Sequence, residues 1–209
     1  MSQSQNPMTG HMSGSMANFA TYTLKGENII RSKAFQPKDA HSASQIAQRA
    51  SFKLIVDAYN SFGGVTNTLF TDRLETQTPF NAFMAANLPG AINKTGAVPV
   101  IDYSKMVVSS GTLFHVTVTT AIAGASGITL NYKTDTLIPN VSGSDQVVAF
   151  AKTKNGELII ARQVRGTEAL GNILIPATGI NATDVECCFL FVLNKDGSNA
   201  SVSTYVQVS

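Results

Sequence analysis

The side chains that could do chemistry are few and scattered. His11, His41 and His115 lie far apart in the chain, and none has a second His or Cys at metal-site spacing. His115 alternates with Phe114 and Val116, which places it on a strand surface. Cys187 and Cys188 are adjacent in an apolar run. Neighbours on a strand point to opposite faces, so a bridge between them would be strained. They read as reduced thiols, one in the core and one half-exposed, with a vicinal redox pair as the alternative. Asp102-Tyr103-Ser104-Lys105 sets a carboxylate, a phenol, a hydroxyl and an amine in succession. Sequence neighbours seldom converge on one point, so local hydrogen bonding is expected, with Asp102 capping a turn and Tyr103 packing. Arg49, Arg73, Arg162 and Arg165 are isolated. Arg162 and Arg165 flank a strand end and read as a solvated edge, contact with an acidic partner being the other reading. No phosphate loop, nucleophile elbow, zinc box or paired carboxylate stands out. The expectation is a protein that is not an enzyme, with no catalytic residue, no cofactor and no metal.

Elements that could position a partner are more informative than the reactive groups. The chain has 209 residues, 44% hydrophobic, enough for one sizeable core. Only 13% are Asp, Glu, Lys or Arg, about half the usual share. A chain that keeps so little charge is expected to be largely covered by partners or to live outside the cell. The net charge of +2 without a basic cluster argues against nucleic acid. No apolar run approaches a membrane span, and the start MSQSQNPMTGHMSGSM lacks the pattern of a secretory signal.

Residues 1–18 are small and polar, with Met8, Met12 and Met16 as their anchors, and read as an extended arm lying on a neighbouring subunit. Gly10-His11-Met12 also fits a vector-derived scar. Residues 19–35 read as a hairpin, 20–24 and 28–31 flanking Lys25-Gly26-Glu27. A helix is expected over 44–62, with Ser42 as N-cap and Ile46, Ala47, Ala50, Leu54, Ala58 and Phe62 on its buried face. A weaker helical stretch carries Val65, Leu69 and Leu74. Thr78-Pro79 opens another short helix through Phe80, Phe83, Met84 and Leu88.

From Met106 the period changes to two. Strands are expected at 113–119, 127–133, 146–153, 157–164, 172–176, 185–193 and 201–208, with Asn155-Gly156 as a hairpin turn. Seven strands in about 100 residues define an immunoglobulin- or fibronectin-like sandwich. The absence of Trp and of an inter-sheet Cys pair favours the fibronectin-like form. The fold class is therefore mainly β, α+β overall: an arm at 1–18, a hairpin and two to three helices at 19–105, and a sandwich at 106–209.

These pieces carry a resemblance. Gly10–Ser15, Tyr22-Thr23-Leu24-Lys25-Gly26 with Arg31, Gln45 through Phe52, Asn81 through Ile92, Ile101 through Leu113, and NKDGSNASVSTYV near the end are similar to motifs of an uncharacterised family from Bacteroidota genomes, prophages and phages. The chain departs from it in having no Trp at 127–133. The resemblance implies a phage-type structural protein with no enzymatic activity.

The expected function is a structural component of a bacteriophage virion, an accessory capsid, decoration or tail protein made in the host cytoplasm. Its partners would be copies of itself and other virion proteins, with a host-surface ligand in addition, and neither nucleic acid nor membrane. Assembly contacts are placed at Met8, Met12, Met16, Phe19, Tyr22, Leu24, Arg31 and Tyr103. The alternative is a surface-binding module that recognises a glycan or a protein. It would need export.

Overall fold

Ala17 and Lys25 adopt positive φ, 48° and 51°, and at each the chain reverses. Three short strands result: β1 (Gly14–Met16), β2 (Phe19–Leu24) and β3 (Glu27–Ser32), antiparallel in the order β1-β2-β3. The computed structural model describes residues 13–25, 27–33, 39, 41–96, 98–135 and 141–209. The chain divides into two compact units, residues 1–42 and 43–209. The expected hairpin is present. The arm expected at 1–18 differs in its last residues, because Gly14–Met16 pairs with β2 as a third strand.

The second unit begins with α1 (Ala43–Ser61) and α2 (Pro79–Asn87). Thr78 caps α2, its hydroxyl accepting from the Asn81 N–H at 3.2 Å, and Pro79 opens the helix where no N–H is needed. The weaker helical stretch is a 3-10 turn, Val65–Thr68, with Leu69 buried and Leu74 exposed. The buried face of α1 is rotated from the expected one. Ser51, Ile55, Ala58 and Phe62 face inward, while Ile46 is exposed. A serine can occupy that face because its hydroxyl donates to the Ala47 carbonyl at 2.8 Å. Two short strands follow, β4 (Ile92–Asn93) and β5 (Val100–Ile101), paired with each other.

Seven strands complete the unit: β6 (Thr117–Gly124), β7 (Gly127–Lys133), β8 (Gln146–Thr153), β9 (Leu158–Val164), β10 (Leu170–Ile175), β11 (Val185–Leu193) and β12 (Thr204–Tyr205). They form two antiparallel sheets, β10-β7-β6 and β12-β11-β8-β9. The fourth strand of the seven lies beside the third rather than the fifth, unlike a constant-type immunoglobulin domain. Five of the seven strands fall within a few residues of the expected positions. The first is displaced: Leu113 leads into it instead, its N–H donating to the Ala200 carbonyl at 2.9 Å, and β6 runs on to Gly124. The last is much shorter than the expected 201–208, two residues beside Phe189 and Leu190. His115 consequently lies outside the strand, exposed and stacked on Phe114 with ring centroids 5.1 Å apart.

β8 and β11 are buried at almost every position and apolar through their centres, which only a strand covered on both faces can sustain. Val147, Ala149 and Ala151, with Cys188, Leu190 and Val192, pack against Ile128, Leu130, Ile173 and Ile175 of the three-stranded sheet. Val148, Phe150, Cys187, Phe189 and Phe191 point the other way and meet Phe62, Phe83 and Met84 of the helical region. The Phe62 ring lies 5.5 Å from Phe150 and 6.4 Å from Phe189, both edge-on. The four-stranded sheet is thus the middle of three layers. The expected boundary at 105/106 cuts through one of the two cores, and the compact units divide at 42/43 instead. Cys187 and Cys188 are both buried, one in each core, so neither is half-exposed.

Truncating Phe189 removes the ring that joins the helical layer to the sheet. Phe189→Ala is expected to cost about 3–5 kcal/mol, read as a lower urea midpoint with an unchanged slope. Ile46→Ala, on the exposed side of α1, is expected to change the midpoint little.

Candidate functional site

The residues named for assembly separate into two groups. Met8 and Met12 lie outside the described residues. Met16 stands at the end of β1, opposite Phe19. On β2 and β3, alternation puts Phe19 and Ile30 on one face and Tyr22, Leu24, Ile29 and Arg31 on the other. The Arg31 guanidinium carbon sits 5.8 Å from the Tyr22 ring centroid, a cation–π contact. None of the described side chains of this ribbon is buried; Phe19 is 53% and Leu24 52% exposed. Both faces therefore present apolar side chains to solvent.

Tyr103 belongs to the other compact unit and to a different kind of site. Asp102 accepts from the Ser104 N–H at 3.2 Å and its hydroxyl at 2.5 Å, and pairs with Lys105 at 3.2 Å. That caps the 3-10 turn Tyr103–Lys105, as the residue types suggest. The turn aims the Tyr103 phenol at Glu186, to which it donates at 2.6 Å. The other Glu186 oxygen pairs with Lys152 at 2.7 Å, joining the turn to β11 and β8. Burial, and then the Glu186 carboxylate, hold the Tyr103 phenol well above the usual tyrosine range. A half-buried tyrosine that donates to a carboxylate and a lysine that completes its partner form a clasp. Among the described residues no group of three His, Cys, Asp or Glu could hold a metal. No described helix is long and apolar enough to cross a membrane.

A third constellation escaped the sequence reading. Arg165 is not on a solvated edge: it is 4% exposed. Its Nε donates to the Thr134 hydroxyl at 3.4 Å, and Nη1 lies 3.9 Å from Asp145. Nη2 is buried and has no hydrogen-bond partner among the described residues. Asp145 also accepts from the Ser142 N–H at 3.1 Å, and the Arg165 N–H donates to the Asp145 carbonyl at 2.7 Å. Burial lowers the Arg165 pKa against the opposing pull of Asp145. Beside this group lies an open cleft of about 610 Å³ lined by Thr119, Thr120, Asn131, Tyr132, Gln163 and Asn172, among others. The only hint in the sequence is Gly171. A Cβ there would come 2.5 Å from the Tyr132 hydroxyl, so the ring fits only over a glycine.

The fold defines a sandwich of fibronectin-like type with a helical layer on its four-stranded sheet. Residues 11–207 match the family of unknown function DUF6266, and the chain belongs to that family. No curated protein matches the chain. No solved structure matches it either.

The buried thiols and the half-buried phenol set an alkaline limit. Burial pushes Cys187 and Cys188 up to about 12, against about 8.5 for a thiol in an unfolded chain. A raised folded-state value adds stability that is complete below the unfolded pKa and is lost as pH climbs toward the folded one. The Tyr103 shift has the same sign. Urea midpoints are expected to hold from about pH 7 to 8 and to fall between about 9 and 11. A Cys187→Ala, Cys188→Ala double variant should show a shallower fall. Identical pH profiles for the two proteins would exclude the thiols as the cause.

Proposed function

We propose that the protein is a non-enzymatic structural component of a bacteriophage virion, an accessory capsid, decoration or tail protein, and that it assembles by strand addition. The observation that carries assembly is the N-terminal ribbon. Three short strands hold together in water only with a covered apolar face, and the described side chains of this ribbon leave both faces uncovered. A second copy that covers them supplies what the ribbon lacks. The phage setting comes from the resemblance of the hairpin, helix and seam motifs.

The receiving edge in this reading is β9. It ends the four-stranded sheet, is seven residues long and contains no proline. The close pairs Asp145–Arg165 and Thr153–Glu157 fix which backbone groups face β8. By alternation, Leu158, Ile160, Arg162 and Val164 direct their N–H and C=O groups away from it. Ile160 and Val164 are also exposed, at 36% and 60%. Two of the other edges are braced: β6 exchanges bonds with Ser209, and Ser203, just before β12, donates its N–H to the Ser109 carbonyl. An edge strand with open backbone groups and exposed apolar side chains is a template for another strand, although Arg162 places one charge on it.

Light scattering on the full chain tests this. The wild type is expected to form oligomers, and a Tyr22→Ser, Leu24→Asp variant to be monomeric. Arg162→Pro removes an outward N–H without touching the ladder to β8 and is expected to shift the equilibrium to monomer by about tenfold or more. A monomeric wild type at high concentration would end the assembly reading. Oligomers indifferent to Arg162→Pro would move the interface away from β9.

A further inference from the structure

The fourth edge of the sandwich is open as well. β10 ends the three-stranded sheet, with β7 as its one strand neighbour. The Thr134 N–H donates to the Ala169 carbonyl at 2.8 Å, which fixes the phase of their ladder. Gly171, Ile173 and Ile175 therefore exchange bonds with β7, while Leu170, Asn172 and Leu174 direct their N–H and C=O groups away from it. Among the described residues no backbone hydrogen bond reaches those outward groups. The same three side chains lie on the outer face, because Ile173 and Ile175 fill the core. Leu170 is 70% and Leu174 45% exposed.

The residue order selects what covers this edge. At its outward positions, Leu170-Gly171-Asn172-Ile173-Leu174 reads the same in both directions. Antiparallel pairing of two copies about a two-fold axis at Asn172 sets each Leu170 against a Leu174 and the two Asn172 residues against each other. All three are pairs that exchange both bonds, so every outward N–H and C=O of these residues is matched. A slip of two residues in either direction sets Asn172 against a leucine and leaves only two matched pairs within the strand. Pro176 has no N–H to lengthen the ladder. β10 carries no charged side chain, so no charge on the axis meets its own copy.

We infer that β10 is a self-pairing edge: a second copy of this chain adds its own β10 antiparallel about Asn172, and the two three-stranded sheets join into one. This goes beyond the ribbon assembly and requires neither the ribbon nor β9. Three pairs bury much less than the roughly 800 Å² per partner of a standard interface. The contact alone is therefore weak, and dilute protein without the ribbon interface stays monomeric. Copies held together elsewhere raise each other's effective concentration, and the contact then fills.

Disulfide trapping on the full-length chain reads the register. Across a bonded pair the Cα atoms are about 5.5 Å apart, within disulfide reach. Two Leu170 positions are instead offset by about 14 Å along the strands. The native Cys187 and Cys188 are buried. Under copper–phenanthroline oxidation, Asn172→Cys is expected to form covalent dimers about tenfold faster than Leu170→Cys or Leu174→Cys alone, and a mixture of the last two to form a mixed dimer as readily as Asn172→Cys. Leu174→Pro removes an outward N–H without touching the bonds to β7, and should bring Asn172→Cys down to the rate of the single leucine variants. If Leu174→Pro does not fold, the cysteine variants at these exposed positions decide. In the Tyr22→Ser, Leu24→Asp background the tenfold preference should persist. The inference is overturned by equal trapping rates at the three positions, by no covalent dimer of Asn172→Cys at roughly 0.5 mM protein, or by a folded Leu174→Pro variant that traps at the full rate. It is also overturned by a preference that vanishes in the ribbon variant, since β10 would then take a ribbon strand. Wild-type protein that is monomeric by light scattering yet traps with this preference would end the ribbon reading and leave this one standing.

Discussion

Everything in the larger unit depends on β8 and β11 being covered twice. Their two faces are chemically distinct. Alanine, valine and leucine meet the three-stranded sheet, and phenylalanine meets the helices. Small side chains let two sheets approach closely, while aromatic rings fill the wider gap beneath a helix pair. One sheet therefore organises two cores, one beneath each outer layer. The helical region is a lid on the sandwich rather than a neighbouring domain.

Where the layers meet, neutral polar groups stand beside the one Lys152–Glu186 ion pair already described. Asn87, fully buried, donates to the Phe83 carbonyl at 2.9 Å and to the Val107 carbonyl at 2.8 Å, and accepts from the Val107 N–H at 2.8 Å. One amide thereby satisfies a helix end and an extended segment at once. Ser201 accepts from the Val192 N–H at 2.9 Å, and Ser109 donates to the Ser201 carbonyl at 2.7 Å. Such bonds need no desolvated ion and hold irregular backbone inside the molecule. They give the low charge content a structural meaning beside the one that partners would supply.

These same residues mark where sequence reading stops. Strands at 127–133, 146–153 and 185–193 were legible because alternation, or an apolar run of strand length rich in β-branched and aromatic residues, favours a strand. The turn at Asn155-Gly156 was legible too, since Gly156 takes φ 88° where a side chain is disfavoured. Ser51, Asn87 and Arg165 were not. A serine, an amide or a guanidinium looks alike in a sequence whether its partner is water or a carbonyl twenty residues away. The shift of the α1 face has that origin, and so does the burial of Arg165. Of the residues proposed for assembly, Tyr22, Leu24 and Arg31 share a face because a hairpin makes alternate residues neighbours. Tyr103 had no such local logic, and its partner Glu186 lies on a strand 83 positions later.

That separation has a consequence for how the chain is made. Phe62 and Phe83 are complete long before Phe189, the ring that helps to cover them, has left the ribosome. At a synthesis rate of about 5–20 residues per second, roughly a hundred intervening residues leave those rings without their sheet for on the order of 5–20 s. The early helices thus spend their first seconds as an amphipathic pair with an open apolar side, and chaperone holding during translation would matter more for this chain than for one whose helices pack on what precedes them.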